Sequence, residues 1–153
     1  MATRAPGLAM DGLTQVDTAK RFSLGYEITL GNDAYIYVQG VTAGAAGAWV
    51  TFTSAGVTTL LAGNAIARVA IMMSALDATT KYGWAQLKGT NTFAKCDDTV
   101  LADKALYIDG TAGRADDAVV SGDLILNAFS LSAGVSNVQT VWINYPSVTD
   151  TIS

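Results

Sequence analysis

From Tyr26 onward, turn chemistry interrupts this chain about every eight to twelve residues. That spacing suits short strands and leaves little room for long helical periods. Gly31-Asn32-Asp33 separates the alternating segments Tyr26–Leu30 and Tyr35–Gln39, a hairpin signal. A Gly/Ala loop over Val41–Gly47 follows, then Trp49–Thr53 and Val57–Leu61 on either side of Ser54-Ala55-Gly56. Gly63-Asn64 precedes Ile66–Met73, an apolar run inside the best helical window of the chain, 62–76. Its β-branched residues and the Gly-Asn before it favour a strand. Tyr82–Lys88 places Trp84, Gln86 and Lys88 on one face, with Ala85 and Leu87 on the other. Gly89-Thr90-Asn91 predicts a turn, Thr92–Cys96 a short strand ended by Asp97-Asp98, and Lys104–Ile108 another strand. Asp109–Gly113 is a strong turn cluster. Arg114–Asp117 leads to Val119-Val120 and a turn at Ser121-Gly122. Leu124–Leu131 and Val135–Tyr145 form a last hairpin around Ser132-Ala133-Gly134, and Pro146, with no N–H to donate, is expected to stop its second strand.

About ten short strands in this rhythm predict an all-β, single-domain β-sandwich or barrel. The scarcity of helix-solvating side chains agrees: Glu27 is the sole glutamate. A chain of 153 residues suits one domain. At that size roughly two thirds of the unfolded surface is buried on folding, so no covalent staple is needed.

Only 14% of residues are charged, whereas soluble domains carry about 25%. Two readings fit. Part of the surface is covered by other protein, or the chain is simply a β protein rich in small residues, whose alanines inflate the apolar count. The net charge of −4 offers no basic footprint for nucleic acid. The acids concentrate late: residues 76–153 hold nine against five bases, and residues 1–75 balance four against four. There is no histidine, which removes His-based triads, His–metal sites and histidine pH switches. One cysteine, Cys96, excludes an internal disulfide. No stretch of about 18 apolar residues predicts a membrane helix, and the first residues show no signal-peptide core, so use or assembly in a cytosol-like compartment is expected.

Residues 1–21 differ from the rest. They hold Pro6, two glycines and scattered charges without a sustained period, and read as an extended N-terminal arm ahead of a β-rich domain over 22–153. A disordered terminus is the alternative. The arm carries Leu8, Met10, Leu13 and Val16, more apolar than typical disorder, and Arg4, Lys20 and Arg21 lie near its ends. These seven residues are the candidate contacts with a partner.

Reactive constellations are sparse. Asp97/Asp98 and Asp116/Asp117 are acid pairs, but neighbours on a strand face opposite ways, so neither pair alone can flank a sugar bond. A cross-pair of Asp98 with Asp117 stays open beside the ordinary turn role of Asp. Asp109-Gly110-Thr111 near Asp103 lacks EF-hand spacing and leaves at most a weak calcium loop. Cys96 has Lys95 beside it but is followed by acids that oppose a thiolate, so a structural thiol is expected. The glycines match no phosphate-binding pattern. Trp49, Trp84 and Trp142, with Tyr26, Tyr35, Tyr37, Tyr82 and Tyr145, are core anchors, interface anchors or a sugar-binding face. No catalytic residue, cofactor or metal site is predicted.

The second half carries a run of short motifs: Tyr82-Gly83-Trp84-Ala85-Gln86-Leu87-Lys88-Gly89, then Ala105-Leu106-Tyr107, Gly110-Thr111-Ala112-Gly113, Asp116-Asp117, and a strand closing on Tyr145-Pro146. With Phe22-Ser23-Leu24-Gly25 and Tyr35-Ile36-Tyr37-Val38, this order resembles the capsid decoration (cement) proteins of tailed bacteriophages over residues 20–147. The resemblance implies a jelly-roll or β-tulip-like body on the outside of a capsid, commonly a homotrimer. The implied partner is the major capsid protein, the implied place the virion exterior after assembly in the host cytoplasm, and the implied role structural and not enzymatic, with no nucleic-acid or membrane partner. Cementing takes many weak contacts, which a charge-poor surface makes at small desolvation cost. The alternatives are a carbohydrate- or receptor-binding β module and a tail or neck subunit of a virion.

Overall fold

Ten strands form among residues 10–150, the residues described by a computed structural model. They are β1 (Glu27–Leu30), β2 (Asp33–Gln39), β3 (Trp49–Phe52), β4 (Thr58–Leu60) and β5 (Ile66–Met72). β6 (Tyr82–Lys95), β7 (Ala105–Ile108), β8 (Ala115–Asp116), β9 (Leu124–Ser130) and β10 (Val138–Thr149) complete the set. The domain is all-β, and all its ladders are antiparallel within one sheet of order β1-β2-β6-β5-β10-β9-β7-β8, with β3 on β5 and β4 on β3. The apolar run after Gly63-Asn64 is the strand β5 and not a helix.

Two strands are longer than their turn chemistry predicts. Gly89-Thr90-Asn91 does not reverse the chain; β6 runs straight through it for 14 residues. Gly89 adopts φ +115°, a conformation glycine takes without strain, and kinks the strand. The buried Gln86 side chain donates to the carbonyls of Lys88 (3.1 Å) and Thr90 (3.3 Å). Asn91 in turn donates to Gln86 Oε1 (3.0 Å) and accepts from the Phe93 amide (2.9 Å). The kink is therefore satisfied from inside, with no need of a loop. Pro146 likewise does not end β10, which continues to Thr149. The ladder shifts register between Ile143 and Ser147, and Tyr145 takes φ +51°. The missing proline N–H falls into that gap, where no ladder bond is required.

Both irregularities mark a change of partner. Up to Lys88 β6 pairs with β2 and β5; from Lys88 to Lys95 it pairs with β10. β10 pairs with β6 up to Asn144 and with β5 from Ser147. The sheet consequently closes twice. β2-β6-β5-β3-β4 becomes a ring through the parallel bridge of Gln39 with Val57, where the Gln39 amide donates to the Gly56 carbonyl (2.9 Å). β6-β10-β9-β7-β8 becomes a second ring through the bridge of Cys96 with Ala115.

Strand alternation fills each ring. Ile36, Val38, Val50, Phe52, Met72 and Leu87 occupy the first. Ile108, Ile125, Val141 and Ile143 occupy the second, and Trp49, Val69 and Ile71, on the opposite faces of β3 and β5, join them. β3 and β5 are thus a wall with a core on both sides, which accounts for the consecutive buried apolar residues Trp49-Val50 and Val69–Met72. A third cluster, Tyr35, Tyr37 and Trp84 with Ile28 and Leu13, lies on the outer face of β2 and β6.

Gly47 has φ +84°, and a Cβ there would overlap the Phe93 carbonyl oxygen; Gly31 has φ +63° with open space around it. Gly47→Ala should cost on the order of 3 kcal/mol and Gly31→Ala about 1 kcal/mol, because only the first adds a backbone clash to left-handed strain. Urea midpoints of the two variants check the difference; equal losses would contradict the assigned close approach.

Candidate interaction surfaces

The expected arm divides. Arg4 and Leu8 lie outside the described residues. From Met10 the chain is a strap bound to the body. Met10–Thr14 is a single 3-10 turn, and Leu13, 1% exposed, sits in the cluster with Tyr37 and Trp84. Asp17 exchanges two backbone hydrogen bonds with Tyr82, both 2.8 Å. Its carboxylate, also buried, accepts from the Tyr37 hydroxyl (2.6 Å), from Arg21 Nε (2.8 Å to Oδ2) and from Gln15 Nε2 (2.9 Å). Phe22 then closes over Trp84 and Tyr37, with ring centroids 5.2 and 5.3 Å away, and the Arg21 guanidinium lies 5.2 Å over the Phe22 ring.

Leu13 and Arg21, two expected partner contacts, are thus spent inside this chain, and Val16 and Lys20 face outward. The sequence reading missed the role of Asp17. A short arm with one Asp four residues before Arg21 was its only local trace, and its main partner, Tyr37, is twenty residues away.

Burial, and then the bond to Asp17, push the Tyr37 hydroxyl up to about 12; burial and the Asp33 carboxylate do the same for Tyr35. The unfolded phenols ionise near pH 10, so the folded chain holds these two protons more tightly between pH 10 and 12. Stability should be level below pH 10 in this respect and fall as pH rises to 12. Tyr37→Phe should cost about 1–3 kcal/mol at pH 7, because the buried Asp17 loses a donor, and should flatten that alkaline slope. Urea unfolding at pH 8, 10 and 11 tests both; an unchanged slope would show that Tyr37 does not hold its proton in this way.

The acid pairs cap loops. Asp97 accepts from the Thr99 amide (2.8 Å) and hydroxyl (2.7 Å), and these bonds hold its carboxyl below the usual range. Asp98 accepts from the Asn137 amide. Asp116 accepts from the Asp117 amide (2.7 Å), and Asp117 from the Leu101 amide (3.0 Å). Both members of the conceivable Asp98/Asp117 pair are therefore engaged by backbone. In the loop considered for calcium, Asp109 accepts from Arg114 Nε (2.7 Å) and from the Thr111 amide (3.1 Å), so a guanidinium stands beside that carboxylate. Arg114 also reaches Asn137 (3.0 Å) and Asp97 (3.4 Å), tying three loops together around Cys96. Burial, and then the charge of Asp98, push the buried Cys96 thiol up to about 11. In the native chain Cys96 should resist a disulfide reagent at pH 8 and react only as fast as the domain opens. Immediate stoichiometric labelling would contradict this.

One surface was not singled out from the sequence. On the outer face of the second ring, Phe129 and Trp142 stand directly opposite in the β9–β10 ladder, with ring centroids 6.0 Å apart. Phe129 is 49% and Trp142 37% exposed, and Leu126, Leu131 and Tyr145 are exposed as well. Trp49 and Trp84 are fully buried, so Trp142 is the tryptophan that meets solvent. Trp142 also borders a cleft of about 500 Å³, lined besides by Asn32, Asp33, Lys88, Gly89 and Thr90. A trace was legible: apolar residues occupy both parities of β9 and β10, although among the described residues one face of those strands carries no second layer. No family model matches the chain, and no curated protein and no solved structure matches it either.

Proposed function

We propose that this chain is a structural, non-enzymatic protein of a phage head that decorates the outer surface of the capsid and bridges neighbouring major capsid subunits, as a homotrimer. The observation that carries the reading is the strap. A segment that precedes the body in sequence is anchored on its outside by Asp17, Leu13 and Phe22, which gives residues 1–9 a fixed point of attachment. Arg4 and Leu8 precede that anchor, and Val16 and Lys20 are exposed on it. A segment anchored in this way suits a tether to a second body, which supports the reading. The carboxylates of the two acid pairs and of Asp109 are bonded to backbone or to Arg114, which supports adhesion over catalysis. The resemblance to decoration proteins supplies the capsid as partner.

The strap moves the boundary at which an arm can be removed. Deletion of 1–21 would strip Leu13 and Asp17 from the body, whereas deletion of 1–9 spares both. In co-sedimentation with undecorated heads of the encoding phage, the full chain should bind, and the chain lacking residues 1–9 should fold normally yet bind at least about tenfold more weakly. Equal binding would overturn the arm, and no binding by the full chain would overturn the head assignment. Antibody labelling confined to the tail or neck would replace it with the second structural reading.

A further inference from the structure

We propose that the cleft between the β1–β2 turn, the β6 kink and Trp142 binds a neutral pyranose ring of a glycan. The inference is independent of where the chain sits in a particle.

The cleft has the size of a small-ligand site and joins one apolar surface to several polar groups, the composition such sites share. Trp142 supplies the apolar surface. A pyranose presents C–H bonds on its faces, and their partial positive charge matches the negative face of the indole. The ring contact with Phe129 and the two ladders on β10 hold the indole in place, so little freedom is lost on binding.

The polar lining suits hydroxyls, which donate and accept at once. Asn32 offers an amide donor and acceptor, Lys88 an ammonium, Thr90 a hydroxyl, and Asp33 a carboxylate. Asp33 keeps its place because position 89 is glycine: a Cβ there would collide with Asp33 Oδ1. The kink that redirects β6 therefore also leaves room for the carboxylate in the cleft. With one carboxylate and one ammonium in the lining, the formal charge cancels, which favours a neutral sugar over a sialylated or sulfated one. A single lining carboxylate falls short of the two that glycoside hydrolysis takes, so the site binds and does not cleave. Trp84, the indole of β6, is sealed in the strap cluster and takes no part.

The burial of Trp49 and Trp84 makes the test clean, since ligand-dependent changes in tryptophan emission and in quenching by iodide report on Trp142. The intact protein is screened on an array of neutral and acidic glycans, and hits are titrated as free oligosaccharides up to about 10 mM, the range of single weak sites. A neutral glycan should bind, shift the emission and protect it from iodide. Trp142→Ala should abolish binding, and Lys88→Ala should weaken it at least about fivefold, with unchanged near-ultraviolet circular dichroism from the buried tryptophans. No binding by any neutral glycan would overturn the proposal, as would binding only of acidic glycans or binding that survives Trp142→Ala. Lys88→Ala, at a partly exposed side chain, decides the matter if Trp142→Ala fails to fold: unchanged affinity there would also refute it.

Discussion

The fold depends on how two long strands change partners without leaving backbone groups unpaired. β6 and β10 each belong to two neighbourhoods, and a strand that moves from one ladder to another must break register somewhere. A buried break costs about as much as the hydrogen bonds it loses unless other groups satisfy them. β6 meets this condition with Gly89, which takes the kink, with Gln86, whose amide donates to the carbonyls of Lys88 and Thr90, and with Asn91, which holds the Gln86 side chain and accepts from the Phe93 amide. β10 meets it with Pro146, which has no N–H to lose at the one place where none is needed. Two different residues thus solve the same problem, one by conformational freedom and the other by a missing donor.

Closure into two rings has consequences for the surface. Closing a sheet removes most of its edges, and with them the need for the charged edge residues that keep sheets from aggregating. A chain with few charges can then stay soluble as a β protein, and this tempers the argument that low charge must mean covered surface. The outer faces tell the two rings apart. That of the first carries Tyr35, Tyr37 and Trp84, and the chain covers it with its own residues 13–26. That of the second carries Phe129 and Trp142, and the described residues leave it open.

Much of this was legible. Nearly every strand lies where alternation and turn residues placed it, because both signals are local: side-chain direction follows strand period, and turn residues follow φ. The exceptions share a cause. Gly89-Thr90-Asn91 and Pro146 have the chemistry of strand ends, but whether such residues end a strand or bend it depends on neighbours far away in sequence, here Asn144 and Arg68. The strap was illegible for the same reason. Leu13 looks like a sticky residue on an arm until Tyr37 and Trp84 are known to lie beneath it. The sugar-binding face expected from the sequence drew on all three tryptophans; burial removes Trp49 and Trp84 and leaves Trp142, a distinction that only the packing draws.

The two proposals make different demands on affinity, and the fold suits both. A tether must hold against load, so it belongs on the most firmly anchored part of the molecule. The strap is well held, since the Asp17 carboxylate is buried and engaged and Leu13 and Phe22 sit in a core. A shallow site with one indole and a few polar groups holds a single sugar weakly, because the ligand keeps much of its contact with water. Weakness there is tolerable where copies are many. Subunits fixed on one shell turn each further sugar contact into a nearly intramolecular event, and avidity then rises by orders of magnitude without any new contact. Rigid anchoring of one ring is therefore what would make a weak site on the other effective, since sites on a floppy linker would sample a much larger volume.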